Sequence, residues 1–138
     1  MSKGTTTQND FIKVVFLNAG NDPAWRSNAN VYISLHTADP SAGDQTTNEA
    51  NYTNYTRVAV LKTAVGWTIA GNQASNAGQI QFPQCGVAGN VITHVAIGSV
   101  TGPGAGQIFY AGALNDPLAV VNLIQPQFSI GALQVSET

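Results

Sequence analysis

The sequence predicts an all-β, jelly-roll-like β-sandwich with one short N-terminal helix. Three observations carry that prediction. After residue 20 the apolar residues follow a period of two rather than 3.6. Gly, Pro and Asn punctuate these segments roughly every 8 to 12 residues. No second apolar stretch of helical period and useful length follows residue 20. Short alternating strands at regular spacing are the sequence pattern of sandwiches and barrels.

Taken in order, residues 1 to 6, MSKGTT, have no apolar pattern and read as a flexible arm. Residues 7 to 138 read as one sandwich domain, with a helix over about 8 to 19 inside it. Thr7 can cap that helix, and Asp10 three residues later completes a capping-box pattern. Gly20 stands where a left-handed stop is wanted. Phe11, Val14 and Val15 would share a face, with Phe16 and Leu17 beside it. The β-branched Ile12, Val14 and Val15 argue the other way, because they lose rotamer freedom in a helix.

The strands then follow. NVYISLHT alternates Val31, Ile33 and Leu35 with Tyr32, Ser34 and His36. YTRVAVLKT and GWTIAG keep the same period, and GQIQFP places Ile80 and Phe82 on one face. NVITHVAIGSV sets Val91, Thr93, Val95 and Ile97 against Ile92, His94 and Ala96. GQIFYAGAL, PLAVVNL, PQFSIG and ALQVSE complete eight or nine strands, with VTGPGAGQ as a Gly-rich turn.

Charge narrows the function classes. Only 9% of the 138 residues are charged, against roughly 25% in ordinary soluble domains. From Thr63 to Asn115 there is no Lys, Arg, Asp or Glu. A net charge of −2 without a basic cluster argues against nucleic acid. No apolar run is long enough for a membrane helix, and no secretory signal is legible, so folding in a reducing cytoplasm and no membrane partner are expected. The lone Cys85 gives no disulfide framework. An uncharged polar surface is desolvated at modest cost, which points to an assembly protein.

One stretch is denser in reactive groups than the rest: YISLHTADPSAGDQTTNEANYTNYTRVAV, residues 32 to 60. As an active site it lacks a nucleophile with a base and an orienting group. Cys85 and His94 flank the turn GVAGN, but no family-specific nucleophile motif surrounds them, and no catalytic residue is expected. As a metal site it lacks zinc spacing, and Asp39, Asp44 and Glu49 do not follow a calcium-loop rhythm. No cofactor is implied, although the 38–54 loop is long enough to gather oxygens around a cation. Loops of this length in compact domains usually bind something or are disordered. A docking loop is therefore expected, with Asp44, Asn48, Tyr52 and Tyr55 as partner-binding residues. Trp25, in the turn DPAWRS, joins them as an exposed candidate; a sugar-stacking role for Trp25 and Trp67 is the weaker reading.

The words LHTADP and GDQTTNEA inside VYISLHTADPSAGDQTTNEANYTNYTRVAVLKTAVGWTIAGN carry a resemblance. FPQ, ITHVAIG, GAGQIFYAGAL and PLAVVN extend it over nearly the whole chain. It resembles small virion proteins encoded among tailed-phage structural genes, some of them labelled tail-fibre proteins. The better-understood relatives are cement, or decoration, proteins of short-tailed phage heads. That resemblance implies a sandwich on the outer capsid surface, a homo-oligomer (dimer or trimer) bound to the major capsid protein and stabilising the head. A tail, tail-fibre or baseplate component for host attachment is the alternative. The chain has no repetitive shaft, collagen-like or coiled-coil segment, which favours cement.

Overall fold

The computed structural model describes residues 1–17 and 22–138. It is an antiparallel β-sandwich with one short N-terminal helix, as the sequence predicts. The elements are β1 (Ser2–Lys3), α1 (Thr5–Phe16), a 3₁₀ turn (Ala24–Ser27), β2 (Asn30–His36), β3 (Val58–Leu61) and β4 (Trp67–Ala70). They continue with β5 (Gln73–Asn76), β6 (Ile80–Gln81), β7 (Asn90–Gly98), β8 (Ile108–Val120), β9 (Gln127–Phe128) and β10 (Gln134–Ser136). A five-stranded sheet has the order β1-β8-β7-β2-β3, a three-stranded sheet the order β10-β5-β4, and β6 pairs with β9. Ile33, Leu35, Phe82, Ile92, Val95, Val120 and Leu133 form the core between them.

β2 shows why the central strand is stable. Its alternation puts Val31, Ile33 and Leu35 into the core, as period two requires. Ser34 and His36 on the opposite face are also fully buried. A polar loop covers that second face, so a strand expected to be half-solvated is enclosed on both sides.

Two strands depart from simple alternation. β7 carries a register shift between Ile92 and His94, so Ile92 is buried while Val91 and its expected same-face partners lose phase. A bulge of this kind adds an unpaired residue and re-aims the side chains beyond it. β8 runs through Pro117, where two strands were expected. The pairing explains the tolerance: Ala113 faces His94 and Leu118 faces Ile92, so 114–117 bow out of the ladder. A missing amide proton costs little there.

The N-terminus also differs from expectation. Ser2 and Lys3, expected in a mobile arm, pair with Ala111 and Tyr110 as an edge strand. The helix spans Thr5–Phe16 rather than about 8–19, with Gly4 as its N-cap. The Gly20 stop lies outside the described residues. Thr7 is not the cap because a tertiary acceptor captures its hydroxyl. Thr7 Oγ1 donates to the Ile108 carbonyl at 2.6 Å, and the Gly4 amide donates to the Phe109 carbonyl at 3.2 Å. Two consecutive β8 carbonyls thus fasten the start of α1. Thr7→Val should cost about 1–2 kcal/mol, because the Ile108 carbonyl loses its side-chain donor and Gln107 loses an acceptor. Urea unfolding of the variant measures this.

Beyond Thr7 the helix buries little. Ile12, Val15 and Phe16 are 61%, 70% and 75% exposed. The expected face is split: Phe11 packs on Trp25 and Val14 is half-buried, while Val15 turns outward with Phe16 and Ile12.

Candidate functional site

The 32–60 stretch folds inward. Asp44 Oδ1 accepts the Thr46 amide at 2.7 Å and Asp39 Oδ1 accepts the Ser41 amide at 2.9 Å. Both carboxylates cap their own turns: the Thr46 hydroxyl and amide hold the Asp44 pKa, and the Ser41 amide the Asp39 pKa, below the ordinary carboxylate range. Asn48 is exposed, with a positive φ of 52°, and its carbonyl accepts the Thr37 amide at 2.8 Å. Tyr52 is 2% exposed and donates to the Pro83 carbonyl at 2.8 Å. Burial pushes its hydroxyl pKa up to about 12. Tyr55 stacks on Phe82 at 6.4 Å and meets Tyr52 edge-on at 5.3 Å. The structure therefore gathers Asp44, Asn48, Tyr52 and Tyr55 into one loop but corrects the expected role of the tyrosines. Their rings supply core packing, with no area left for a partner on Tyr52.

Glu49 and Arg57 organise this loop. The guanidinium donates through Nε and Nη2 to the two Glu49 oxygens at 2.7 and 2.8 Å. The remaining donors reach the Val100 and Gly104 carbonyls at 3.0 and 2.7 Å. One side chain thereby ties the loop to the 99–107 turn. The bidentate geometry makes this stronger than a point contact, and bonding to Glu49 raises the Arg57 pKa further. Tyr55 hydroxyl donates to Glu49 at 2.9 Å and accepts the Leu35 amide at 3.1 Å.

Gln45, fully buried, is the second tie. Its amide side chain donates to the Tyr32 carbonyl at 3.1 Å and to Ser34 Oγ at 3.4 Å, and accepts the Val100 amide at 3.1 Å. Gly98 and Gly106 make room for it, since a Cβ at either position would overlap the Gln45 side chain. His36 closes the chain of bonds. Its Nδ1 pairs with the Thr47 carbonyl at 2.9 Å, and its Nε2 with Ser34 Oγ at 2.8 Å. The carbonyl can only accept, so Nδ1 carries the proton and Nε2 accepts from Ser34. His94 in β7 bonds Thr93 Oγ1 at 2.8 Å. Cys85 is buried against the Gly86 and Ala88 carbonyls, away from His94 as a hydrogen-bond partner.

Burial lowers the His36 pKa below 6.5, outweighing its bond to Thr47. The folded chain then binds fewer protons than the unfolded chain below that pH, so stability falls as pH drops from 6.5 toward the folded-state value. Above pH 6.5 this contribution is flat. Urea midpoints between pH 7 and 5 should decline for the native chain and flatten for His36→Gln. Asp39 and Asp44 act in a separate window, below about pH 4.

Trp25 lies elsewhere, at a cleft of about 1040 Å³ between the large sheet and the β10-β5-β4 sheet. The cleft is bounded by α1 and the 3₁₀ turn. Trp25 packs on Phe109 at 5.0 Å and Phe11 at 6.4 Å, and its Nε1 donates to Asp10 Oδ2 at 2.8 Å. Trp67 and Ile69 project from β4 into the same space. Glu137 at its edge pairs with Lys3 and accepts the Tyr110 hydroxyl. The alternation Trp67–Ile69 was the available signal for this cleft. It reads as core in the sequence, yet Ile69 is 69% exposed.

Fold and composition together define a β-rich protein, sparse in charge, whose dense polar stretch is a clamp. The comparisons place it among the virion proteins of short-tailed phages. The chain belongs to the family described as Podophage GP4 fiber I protein gp80, whose model matches residues 3–136. No curated protein matches the chain. The fibre description runs against the preference for capsid cement that the missing shaft suggested.

Proposed function

We propose that this chain is a fibre subunit of a short-tailed phage, serving host attachment in a structural and non-catalytic role. The observation that carries the reading is the family match over residues 3–136, nearly the whole chain, to a fibre protein. The outward apolar face of α1 supports it. Ile12, Val15 and Phe16 stand mostly exposed beside Leu17 at 51%. Contiguous exposed apolar surface of this kind marks a protein contact, and here it is the surface through which the subunit joins a neighbouring virion protein. A small sandwich without a shaft fits one module of a composite fibre.

The clamp supports the same role from the other side. It leaves Asn48, Thr46 and Thr37 exposed on a rigid loop, giving uncharged hydrogen-bonding groups with little entropy to lose on contact. In the competing cement reading these surfaces would bind the major capsid protein. Copy number per particle separates the two readings.

A further inference from the structure

We propose that the cleft beside Trp25 and Trp67 binds an anionic amphiphile: an acyl-type chain ending in a carboxylate or phosphate. This stands independently of the fibre reading.

The lining fixes the chain-like part of the ligand. Val31, Ile97 and Phe109 line the cleft from the large sheet, and Trp67, Ile69 and Val135 from the small one. Thr7 also reaches it, but its hydroxyl is already committed to Ile108 and Gln107. A hydroxyl-rich saccharide needs polar groups converging along its length, and although Thr63, Asn72, Gln73 and Tyr110 also reach the cleft, its surface is mostly apolar and aromatic. A cleft of about 1040 Å³ is at the upper end of ligand-site sizes.

Charge fixes the head group. β4 starts beside Thr63, where the Trp67 amide donates to the Thr63 carbonyl at 3.0 Å, and ends at the Gly71–Asn72 turn. Lys62 therefore stands at one end of the cleft, and Glu137 at the other, where Asn72 donates to its carbonyl. Glu137 is compensated by Lys3. Lys62 has no carboxylate partner among the described residues. Its ammonium donates to the Trp25 and Arg26 carbonyls at 2.9 and 3.2 Å and sits 5.7 Å from the Trp25 ring centre. Two of its three protons are used, leaving one donor and an uncompensated charge. Of the other charges near Trp25, Arg26 pairs with Asp22, while Asp10 keeps its charge, since its donors Trp25 Nε1 and Gln107 are neutral, but it does not line the cleft. The complementary ligand puts its tail along Trp67 and Ile69 and its anionic head at Lys62.

The chain has two tryptophans, and both line the cleft, so intrinsic fluorescence reports occupancy. Titration of the full chain with dodecanoate below its micellar range should give a saturable change. Affinity should rise about fourfold per methylene from decanoate to tetradecanoate. Lys62→Gln should weaken dodecanoate about fivefold and leave dodecanol unchanged, while Lys62→Arg restores it. Ile69→Glu should weaken both ligands. Vesicles containing phosphatidylglycerol separate the sources of this chemistry: binding to them identifies a membrane lipid, and binding to dodecanoate alone identifies a free amphiphile. Absence of saturation by either, indifference to chain length, or equal affinity for dodecyltrimethylammonium would overturn the proposal. So would fluorescence that changes only with protein concentration, since a second copy would then cover the cleft.

Discussion

Replacing Glu49 with alanine is expected to destabilise the fold by about 3–5 kcal/mol, the penalty for stranding one partner of a buried ion pair. The Arg57 side chain is 2% exposed, and Glu49 supplies two of its acceptors. The Val100 and Gly104 carbonyls remain after the change, but neither carries a compensating charge. Tyr55 loses the acceptor of its hydroxyl at the same time. Urea unfolding should show the loss, and amide exchange should accelerate first across residues 38–54. The double change Glu49→Leu with Arg57→Met should recover part of it, because it removes both charges together. A loss below about 1 kcal/mol, the value of an exposed pair, would mean that the clamp is not what holds the loop.

The second large effect is expected on assembly rather than folding. Ile12→Ser, Val15→Ser and Phe16→Ser together alter an outward face, so the urea midpoint should shift little. Burying one large apolar side chain contributes about 1.5–3 kcal/mol. Loss of even one such contact is about tenfold in affinity. Incorporation of the triple variant into particles should therefore fall at least about tenfold. Normal incorporation would remove α1 from the assembly surface.

What could be read from residues alone depended on how local the cause was. β2 was legible as a strand because period two places Val31, Ile33 and Leu35 in the core, although the burial of Ser34 and His36 behind them was not. Pro117 misled because strand continuity there depends on where the β7 ladder lets go, a tertiary fact. The capping pattern at Thr7 and Asp10 misled for a similar reason. Ile108 takes the Thr7 hydroxyl, and Trp25 and Gln107 take the Asp10 carboxylate. In the 32–60 stretch the reactive groups were visible, but their partners were not. Arg57 finds Val100 and Gly104 at separations of 43 and 47 residues. Without those partners, Tyr52 and Tyr55 read as free contact surface. Trp25 and Trp67 could each be placed in a turn or strand, while the cleft joining them needs both sheets.

The fibre reading is tested most directly by counting this protein in purified virions and locating it by antibody labelling. A fibre subunit follows tail symmetry and should number in the tens, with label confined to the tail region. Hundreds of copies spread over the icosahedral head would contradict it and restore the capsid-cement reading.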